Sequence, residues 1–562
     1  MKLLVATLLA VVAMASGNVL KPQGTFELLI LHNNDMHAHF EQSSQRSGTC
    51  TNDDREAGKC YGGFPRVAHV VKQAREAALN KSGPPVLYLN AGDTYTGTAW
   101  FTIYKWKIAA EFVNALQPDA VSLGNHEFDN GVSGLIPFIH NLTCPVLAAN
   151  LILTNEPELQ AEPNLMESVV LDKNGTKIGV IGYLTPDTKF LAQRNYVDYI
   201  DEVTAIRKQA AILKSNGVNI LIALGHSGFI TDVKIAKEVE DIDIVIGAHT
   251  HTFLWNDHKP DLDEPQGLYP TMVEQHSGKI VPVVQAYAYT KYLGKLHVIF
   301  NSDGEIINSH GNPILLNNSI PQDPTVLEIV NTYSKNMVAI TETIIGNTSV
   351  YVDGQTCRLK ECNMGNFISD AIIYKYASVY RGQGWTDAPI AIIHSGGIRS
   401  SFNKVEFPSF ITKGDLIRVM PFDGVLVKLT VSGDTILKML EYSIHSYNPK
   451  DPTGKFLQMS GMRVKYDIGK PPNKRVMKVA VRCGECLYPE YSALNKTKTY
   501  NILIPAFLAN GGDSFTMLEN LPITDIGINQ IESTEAFIKT HSPLYPAVEG
   551  RIILENTGMV DT

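Results

Sequence analysis

Residues 27–37 read Glu-Leu-Leu-Ile-Leu-His-Asn-Asn-Asp-Met-His, a short apolar run followed at once by side chains that can bind a metal. The apolar part, residues 27–31, has the length and composition of a buried β-strand. A polar residue directly after such a strand is held by a rigid element, so it loses little entropy when it binds a ligand. This stretch therefore predicts one edge of an α/β sheet with a chemical site at the strand end.

The same pattern recurs along the first part of the chain. Further apolar runs lie at residues 86–89, 120–123, 220–224 and 242–246. Amphipathic segments such as residues 67–79 and 203–214 lie between several of these runs and predict helices, so the alternation indicates βαβ units in a layered α/β architecture. The polar residues that follow the four further runs are Asp93, then Asn125, His126, Glu127 and Asp129, then His226, and finally His249 and His251.

These strand-end residues form a recognisable set of donors. Open α/β sheets bind their ligands beyond the carboxyl ends of the strands. Aspartate, asparagine and histidine together suit divalent transition metals, and a carboxylate can bridge two ions that hold a phosphate and activate water. A single aspartate after a strand is more often a turn or cap residue. Because the pattern repeats at five strand ends, we predict a metal centre.

The domain organisation follows from a polar connector. Residues 317–324 are polar and contain two prolines, and residues 326–340 have a helical pattern. A second region with its own apolar runs, at residues 390–393 and 500–504, comes after this helix. We predict a signal peptide at residues 1–17, a catalytic domain at 18–320, a linker helix at 321–343 and a second domain at 344–562.

Several features favour secretion. Lys2, the apolar run at residues 3–14 and the small residues near position 15 are typical of a signal peptide. No later run is long enough for a transmembrane helix, and the polar C-terminal residues lack the tail of a lipid-anchor signal. We therefore expect a released protein without a membrane anchor, and some glycosylation of its sequons. The sequons begin at Asn80, Asn141, Asn174, Asn317, Asn347 and Asn495.

The cysteines and the charge narrow the function further. The chain has seven cysteines, and three local disulfides are the economical pairing in an oxidising compartment. Cys483 and Cys486 could instead form half of a zinc site. The net charge of −9 argues against binding of nucleic acid or of anionic membranes by bulk electrostatics. The predicted pairs are Cys50 with Cys60, Cys357 with Cys362 and Cys483 with Cys486, which leaves Cys144 free.

Taken in order, the motifs Asp-x-His, Gly-Asp, Gly-Asn-His-Glu-x-Asp, Gly-His and Gly-x-His resemble those of the 5′-nucleotidase and apyrase family. The resemblance implies a layered α/β metallophosphoesterase domain joined by a helical linker to a second α/β, substrate-binding domain. It also implies hydrolysis of extracellular adenine nucleotides with two divalent ions, zinc or alternatively calcium, magnesium or manganese. The implied metal ligands are Asp35, His37, Asp93 (bridging), Asn125, His226 and His249, and the implied catalytic dyad is His126 with Asp129.

The second domain would supply the contacts to the nucleotide. Arginine binds phosphate or ribose oxygens through its planar fork, which makes Arg358 and Arg399 candidates. From periodicity alone, Phe422 and Phe507 are core residues. The resemblance implies instead that their rings stack on the base, while Asp513 accepts hydrogen bonds from the ribose.

Three histidines depart from the family pattern around the phosphate and nucleoside. His251 and His394 stand where asparagine is usual, and His39 stands where arginine is usual. These departures favour an apyrase that converts ATP and ADP to AMP, with an anti-platelet role, over a 5′-nucleotidase that acts on AMP. A non-catalytic integrin antagonist is a third alternative, suggested by Lys413-Gly414-Asp415, although Asp415 is also a normal helix-cap residue.

Overall fold

The computed structural model describes residues 24–45, 47–48, 50–192, 195–402, 408–422, 424–449 and 452–557. The predicted signal peptide lies outside these ranges. Within them, none of the helices combines the length and the apolar character needed to cross a membrane.

The N-terminal part of the fold precedes a connecting helix and contains two large sheets. Its helices are α1 (Asn52–Glu56), α2 (Phe64–Leu79), α3 (Ala99–Tyr104), α4 (Trp106–Leu116), α5 (Gly131–Asn141), α6 (Pro157–Gln160), α7 (Thr188–Leu191), α8 (Glu202–Ser215) and α9 (Phe229–Glu238). Its strands are β1 (Phe26–Asn33), β2 (Ser43–Ser44), β3 (Cys60–Tyr61), β4 (Val86–Asn90), β5 (Ala120–Ser122), β6 (Val146–Leu147), β7 (Leu151–Ile152), β8 (Leu165–Met166), β9 (Ser168–Lys173), β10 (Thr176–Leu184), β11 (Asp198–Tyr199), β12 (Ile220–His226), β13 (Ile244–Ile246), β14 (Thr271–Glu274), β15 (Ile280–Val284), β16 (Tyr292–Phe300), β17 (Ile306–Gly311) and β18 (Ile314–Leu315).

The two sheets pack face to face. One has the order β17-β16-β1-β4-β5-β6-β8, with β18 beside β16, and the other has the order β14-β15-β13-β12-β10-β9. Side chains alternate along each strand, so Leu28 and Ile30 of β1 enter the apolar layer between the sheets. Leu29 and Leu31 point the other way, into the layer formed with α2 and α4. The central strands of the sheets, such as β4, β12 and β13, are therefore buried on both faces, which explains their continuous apolar runs.

A helix connects this part to the C-terminal part. It is α10 (Pro324–Thr341), and it begins at Asp323, whose carboxylate accepts hydrogen bonds from the backbone N–H groups of Thr325 and Val326. Proline at the first helical position suits this start, since its missing N–H would have no partner there. The helix packs against α2 on one side.

The C-terminal part is a second α/β unit. Its main sheet has the order β23-β20-β27-β22-β28, and a smaller sheet has the order β26-β25-β24-β29. Its helices are α11 (Asn363–Val379), α12 (Lys413–Val419), α13 (Gly433–Ser443), α14 (Ala506–Ala509) and α15 (Gln530–His541). Its strands are β19 (Ile344–Thr348), β20 (Ile390–His394), β21 (Ser409–Thr412), β22 (Val425–Ser432), β23 (Leu457–Ser460), β24 (Met462–Asp467), β25 (Val476–Arg482), β26 (Tyr491–Ala493), β27 (Thr499–Pro505), β28 (Ile523–Asn529) and β29 (Ile552–Glu555).

The two parts contact one another closely. Helix α12 packs against α3 and α10, and the Thr102 hydroxyl donates a hydrogen bond to the Pro421 carbonyl at 3.3 Å. One buried apolar cluster runs from the N-terminal helices through α10 into the C-terminal part. This contact places the strand ends of the N-terminal part opposite loops of the C-terminal part.

The cysteine prediction is confirmed. Disulfides join Cys50 to Cys60, Cys357 to Cys362 and Cys483 to Cys486, and Cys144 is a free, buried thiol. Since Cys483 and Cys486 bond to one another, the half-zinc-site alternative for them is wrong.

Candidate metal centre and substrate cleft

The predicted ligands converge at one edge of the N-terminal sandwich. The Nε2 atom of His226 lies 2.8 Å from Oδ2 of Asp93 and 3.6 Å from Oδ1 of Asp35. His37 Nε2 lies 3.9 Å from a carboxylate oxygen of each aspartate. Three overlapping groups of donor atoms lie close enough to share an ion: Asp35, His37 and His251; His37, Asp93 and His126; and Asp93, His226 and His249.

Several buried donor atoms of the site have lone pairs that are available to a cation. Asp35 Oδ1, Asn125 Oδ1 and His226 Nε2 are buried, and within the described residues none of them has a hydrogen bond of good geometry, although His226 Nε2 lies 2.8 Å from Asp93 Oδ2. The opposite ring nitrogens are held: His37 Nδ1 lies 2.8 Å from the Thr96 carbonyl, and His226 Nδ1 lies 2.9 Å from that of Ala91. Such contacts fix the ring and turn its other nitrogen toward a metal. Since unpaired buried polar atoms are costly, this donor set fits divalent cations.

The backbone of the site is strained. Asp35, His37, Asp93, His249 and His251 all have positive φ angles, between 47° and 78°. Residues with a Cβ rarely adopt this left-handed conformation, and the strain clusters at functional sites. Tight approach of the loops also demands glycine at position 124, where a Cβ would lie 2.2 Å from Asp93 Oδ1. The strained backbone and the close approach of the loops therefore bring the donor side chains together.

Glu127 organises two of these loops, a role that sequence reasoning missed. Its buried carboxylate accepts hydrogen bonds from the backbone N–H groups of Asp93, Thr94, Tyr95 and Gly124, at 2.7–3.2 Å. Burial and the neighbouring Asp93 carboxylate raise the pKa of Glu127 to about 7. The sequence did contain a signal for this role. Glu127 lies within the motif of predicted metal ligands and catalytic residues, although it was not itself predicted to be either.

Replacing Glu127 with glutamine is expected to weaken the metal site. The amide keeps the shape but turns its NH₂ group toward backbone donors, so about 10–100-fold in metal affinity should be lost, as for other residues that orient ligands. The free energy of unfolding should fall by about 2–3 kcal/mol, the scale of hydrogen bonds to a charged group. Metal titration and chemical denaturation check this, with the exposed Glu274→Gln as matched control. Unchanged metal affinity in Glu127→Gln would contradict the assignment.

A buried hydrogen-bonded group of three side chains, Asp232, Tyr183 and Gln285, supports the loop that carries His249 and His251. The Asp232 carboxylate accepts hydrogen bonds from the Tyr183 hydroxyl and from Nε2 of Gln285, both at 2.7 Å. Gln285 in turn accepts from the Thr252 N–H at 3.0 Å. These residues lie far apart in the chain, and no local pattern links them to the motif.

His126 and Asp129 form a dyad beside the cluster. His126 Nδ1 lies 2.7 Å from Asp129 Oδ2, which fixes the ring and leaves Nε2 available to a substrate. The backbone N–H of His126 donates a hydrogen bond to Asp93 Oδ1 at 2.9 Å, which links the dyad directly to the central aspartate. Burial lowers the pKa of His126, but the carboxylates of Asp129 and Asp93 outweigh burial and raise it above its ordinary value. The imidazole is thereby suited to donate a hydrogen bond to an anionic oxygen.

His251 lies nearer to the metal donors than a purely substrate-binding residue would. Its Nε2 atom is 3.1 Å from His37 Nε2 and 3.2 Å from Asp35 Oδ1. About a quarter of its side chain remains exposed to the cleft. The same imidazole can therefore meet a cation or a phosphate oxygen.

The C-terminal part places charge and an aromatic ring over the dyad. The Phe422 ring lies 5.6 Å from the His126 ring and 5.9 Å from the Arg399 guanidinium, measured to its centroid. Arg358 lies near Arg399, and burial together with this like charge lowers its pKa to about 10, so it stays charged at neutral pH. Arg399 lies close enough to His37 and His126 for its positive charge to disfavour the protonated form of both rings, whereas the negatively charged neighbour of Arg358 is Asp513.

Phe507, His394 and Asp513 form a second group in the C-terminal part. The Phe507 and His394 rings lie 5.0 Å apart, and His394 Nε2 lies 3.9 Å from Asp513 Oδ2. That carboxylate oxygen is buried without a hydrogen bond in the described residues, as is His394 Nδ1. Unpaired polar atoms beside a partly exposed ring fit a ligand that carries hydroxyl groups and a flat face.

Replacing either phenylalanine with alanine is expected to weaken nucleotide binding. Each lost stack should cost about 1–3 kcal/mol of binding free energy, and hydrolysis of a phosphate ester without a base should suffer much less. The measurement is the inhibition constant of a non-hydrolysable nucleotide for Phe422→Ala and Phe507→Ala. Phe410→Ala is the matched control, because that ring is 62% exposed on β21. Equal losses on both substrates would mean that the rings only pack the core.

His39 lies behind the site rather than in the cleft. Its ring is buried, with Nδ1 2.9 Å from the His37 carbonyl, and it packs 4.8 Å from the Tyr289 ring. Tyr289, which the sequence did not single out, also contacts the rings of His37 and His251 at 5.6 and 5.2 Å. Tyr289 therefore contacts both the buried His39 and the two histidines of the site.

Comparisons with known proteins agree with this architecture. Residues 28–253 match the model of the calcineurin-like phosphoesterase family, and residues 344–520 match that of the 5′-nucleotidase C-terminal domain. A solved structure, the 5′-nucleotidase precursor from Thermus thermophilus, superimposes with a TM-score of 0.82 at 30% identity. The superposition covers 94% of this chain and all of that one.

Curated relatives extend over almost the whole chain. Protein 5NUC from Lutzomyia longipalpis is 44% identical, with 96% of this chain and 95% of that protein covered. The human 5′-nucleotidase is 42% identical, with 97% and 94% covered, and a snake venom 5′-nucleotidase from Naja atra is 40% identical, with 94% and 99% covered. Both domains, their order and these relatives lead to one conclusion: the chain belongs to the 5′-nucleotidase family and is a nucleotide phosphohydrolase built on a metallophosphoesterase domain.

Proposed function

We propose that the protein is an extracellular apyrase, which removes the terminal phosphate of ATP and ADP and acts poorly on AMP. The observation that carries this proposal is the position of His251, whose imidazole lies between the metal donors and the open cleft. An imidazole there can contact an additional phosphate oxygen without a fixed positive charge. Removal of ADP, a platelet agonist, would make the protein an inhibitor of platelet aggregation.

The residues of the chain divide the work between the two parts. Asp35, His37, Asp93, Asn125, His226 and His249 would hold two divalent ions, with Asp93 between them. When bound, the ions polarise the phosphate and lower the pKa of water. The histidine-rich set favours zinc over calcium or magnesium, which prefer oxygen ligands.

The remaining residues position the nucleotide. His126, held by Asp129, donates a hydrogen bond to the phosphate as negative charge develops on its oxygens. Arg358 and Arg399 bind phosphate or ribose oxygens, while the unpaired Asp513 oxygen accepts from a ribose hydroxyl. Phe422 and Phe507 hold the base. The domain boundaries proposed above, 18–320 and 344–562, assign chemistry to one domain and base recognition to the other.

Substrate choice then depends on which phosphate of the bound nucleotide reaches the metal donors. The base is held on the C-terminal part, and the reacting phosphorus must reach the donors of the N-terminal part. A longer phosphate chain reaches further across the cleft, so the groups that line the gap decide which phosphate arrives. His251 lies in that gap, and His394 lies beside Phe507.

Steady-state kinetics with ATP, ADP and AMP test the proposal. We expect kcat/KM for ADP to exceed that for AMP by about tenfold or more, a difference of about 1.4 kcal/mol. His251→Asn should move this ratio toward AMP, whereas the exposed His276→Asn should leave it unchanged. A higher kcat/KM for AMP than for ADP would make the protein a 5′-nucleotidase that forms adenosine. This is the second candidate, and the names of the human and snake venom relatives favour it.

Secretion is supported by three disulfides, which persist in oxidising compartments. Among the predicted glycosylation sites, Asn80, Asn141, Asn174 and Asn495 are exposed, whereas Asn317 and Asn347 are partly buried. We propose that glycans are carried by the four exposed sites.

The geometry does not favour the integrin alternative. Residues 413–415 begin helix α12, where Asp415 and Thr412 form a reciprocal capping box. Gly414 is buried, and Lys413 pairs with Glu535. An integrin ligand needs an exposed, flexible tripeptide, so we do not assign this function.

A further inference from the structure

A cavity of about 390 Å³ lies in the C-terminal part and shares no residue with the site described above. It opens between α11, α15 and the small sheet that contains β24, β25 and β26. Its floor is a charged network in which the buried Arg551 donates to both oxygens of Asp370, at 2.9 and 2.7 Å, and to Glu549 at 2.8 Å. One guanidinium and two carboxylates give this fixed floor a net charge of −1, so the two remaining arginines of the cavity bring its total to +1.

Two further arginines line the cavity, the exposed Arg463 and the half-buried Arg482, which lies near the Asp370 carboxylate. Within the part of the chain that the structure describes, neither Arg463 nor Arg482 forms a salt bridge with a carboxylate. Each guanidinium lies on an aromatic ring instead: Arg463 is 4.5 Å from the Tyr491 centroid, and Arg482 is 5.0 Å from that of Trp385. Stacking orients a guanidinium while its edge N–H groups stay available. In a protein of net charge −9, this is a local site for an anion.

The walls are held in place before any ligand arrives. The Trp385 indole N–H donates to the Cys483 carbonyl at 3.1 Å, and Cys483 is tied to Cys486 by a disulfide. Arg482 is anchored by a hydrogen bond to the Pro389 carbonyl at 3.2 Å. Preorganisation of this kind lowers the entropy that a ligand must overcome.

The opposite wall is aromatic. Tyr374 and Phe537 line it with ring centroids 5.4 Å apart and nearly perpendicular planes, and the Phe537 ring stacks on His541 at 4.0 Å, so the partly exposed Tyr374 ring supplies the surface for a ligand. Flat heterocycles stack on such rings. The cavity therefore combines two guanidinium groups with an aromatic surface for a planar group. Its volume is within the usual range for small-ligand sites.

We propose that this cavity is a second nucleotide site, which binds a nucleoside monophosphate through its phosphate on Arg463 and Arg482 and its base on Tyr374. A nucleoside monophosphate carries both groups and is a reactant or product of a nucleotide phosphohydrolase. The inference rests on that family activity and not on the preference for ADP over AMP.

Equilibrium dialysis with a non-hydrolysable phosphonate analogue of AMP tests the proposal on the metal-loaded protein. We expect two analogues per chain in the wild type and one in Arg463→Gln/Arg482→Gln, whose ADP hydrolysis should be unchanged. Arg463→Lys/Arg482→Lys should bind at the second site about tenfold more weakly than the wild type, since lysine keeps the charge but lacks the fork. Arg381→Gln, an exposed arginine of the same part, should keep both sites.

Two further measurements identify the site and the ligand class. Binding there should quench the fluorescence of Trp385, and Trp385→Phe should lose this quenching. Phe422→Ala/Phe507→Ala should keep the second site while the first weakens. A stoichiometry of one in the wild type, or of two in Arg463→Gln/Arg482→Gln, would overturn the proposal. Equal affinity for inorganic phosphate and for the analogue would overturn the nucleotide class, whatever the ratio of ADP to AMP hydrolysis.

Discussion

Asp93→Ala is expected to abolish phosphate release, with kcat/KM lowered by about 10³-fold or more, since charge stabilisation by metal ions contributes several kcal/mol. Asp93 lies at the centre of the donor set, 2.8 Å from His226 Nε2 and 3.9 Å from His37 Nε2. Removal of its carboxylate takes a ligand from both proposed ions. Activity should be measured with ADP at saturating zinc, together with metal content by elemental analysis.

The control for this prediction is Asp303→Ala, an exposed aspartate in the turn between β16 and β17. It should keep full activity and full metal content. Chelation of the wild type should reproduce the loss, and added divalent ions should reverse it. If Asp93→Ala retained wild-type activity, the two-metal assignment would be wrong.

His126→Ala is expected to lower kcat by about 10²–10³-fold, the usual effect of losing a donor that stabilises the transition state. Metal content should stay at the wild-type level, because the six proposed metal ligands are all retained and Nε2 of His126, whose Nδ1 lies 2.7 Å from Asp129, is assigned to the substrate. Asp129→Asn should give a smaller loss, since the ring remains but is held less firmly. Kinetics with ADP and metal analysis on the same samples separate the two effects.

A different outcome would reassign the residue. His126 is also close enough to His37 and Asp93 to share an ion with them. Loss of metal in His126→Ala would therefore make it a ligand. The exposed His276→Ala serves as control and should match the wild type in both measurements.

The sequence predicted the parts of the fold that depend on local patterns. The five strands with polar ends were predicted close to their observed bounds because parallel strands buried on both faces are continuous apolar runs. The second sheet was not foreseen as a separate layer. Its antiparallel strands, such as β9 beside β10 and β14 beside β15, pair through contacts that no periodicity specifies.

The sequence could predict those residues of the candidate site whose residue type and position after a strand indicate one role. Aspartates and histidines after strands were recognised as donors, and they lie together in the structure. The tasks of Glu127, Gln285 and Tyr289 depend on contacts between distant loops, so they could be found only from the fold. The proposal that Phe422 stacks on the base rests on the resemblance to the family, since periodicity alone favours a place in the core.

The left-handed backbone of the donor loops has a consequence for protein engineering. Each L-residue held there costs about 1–2 kcal/mol, a cost that glycine avoids. Glycine at Asp93 or His249 would relieve that strain, so a selection for heat resistance alone would drift toward inactive variants. Thermostable forms of this enzyme should be sought on the sandwich faces and the surface of α10, with activity scored at every round.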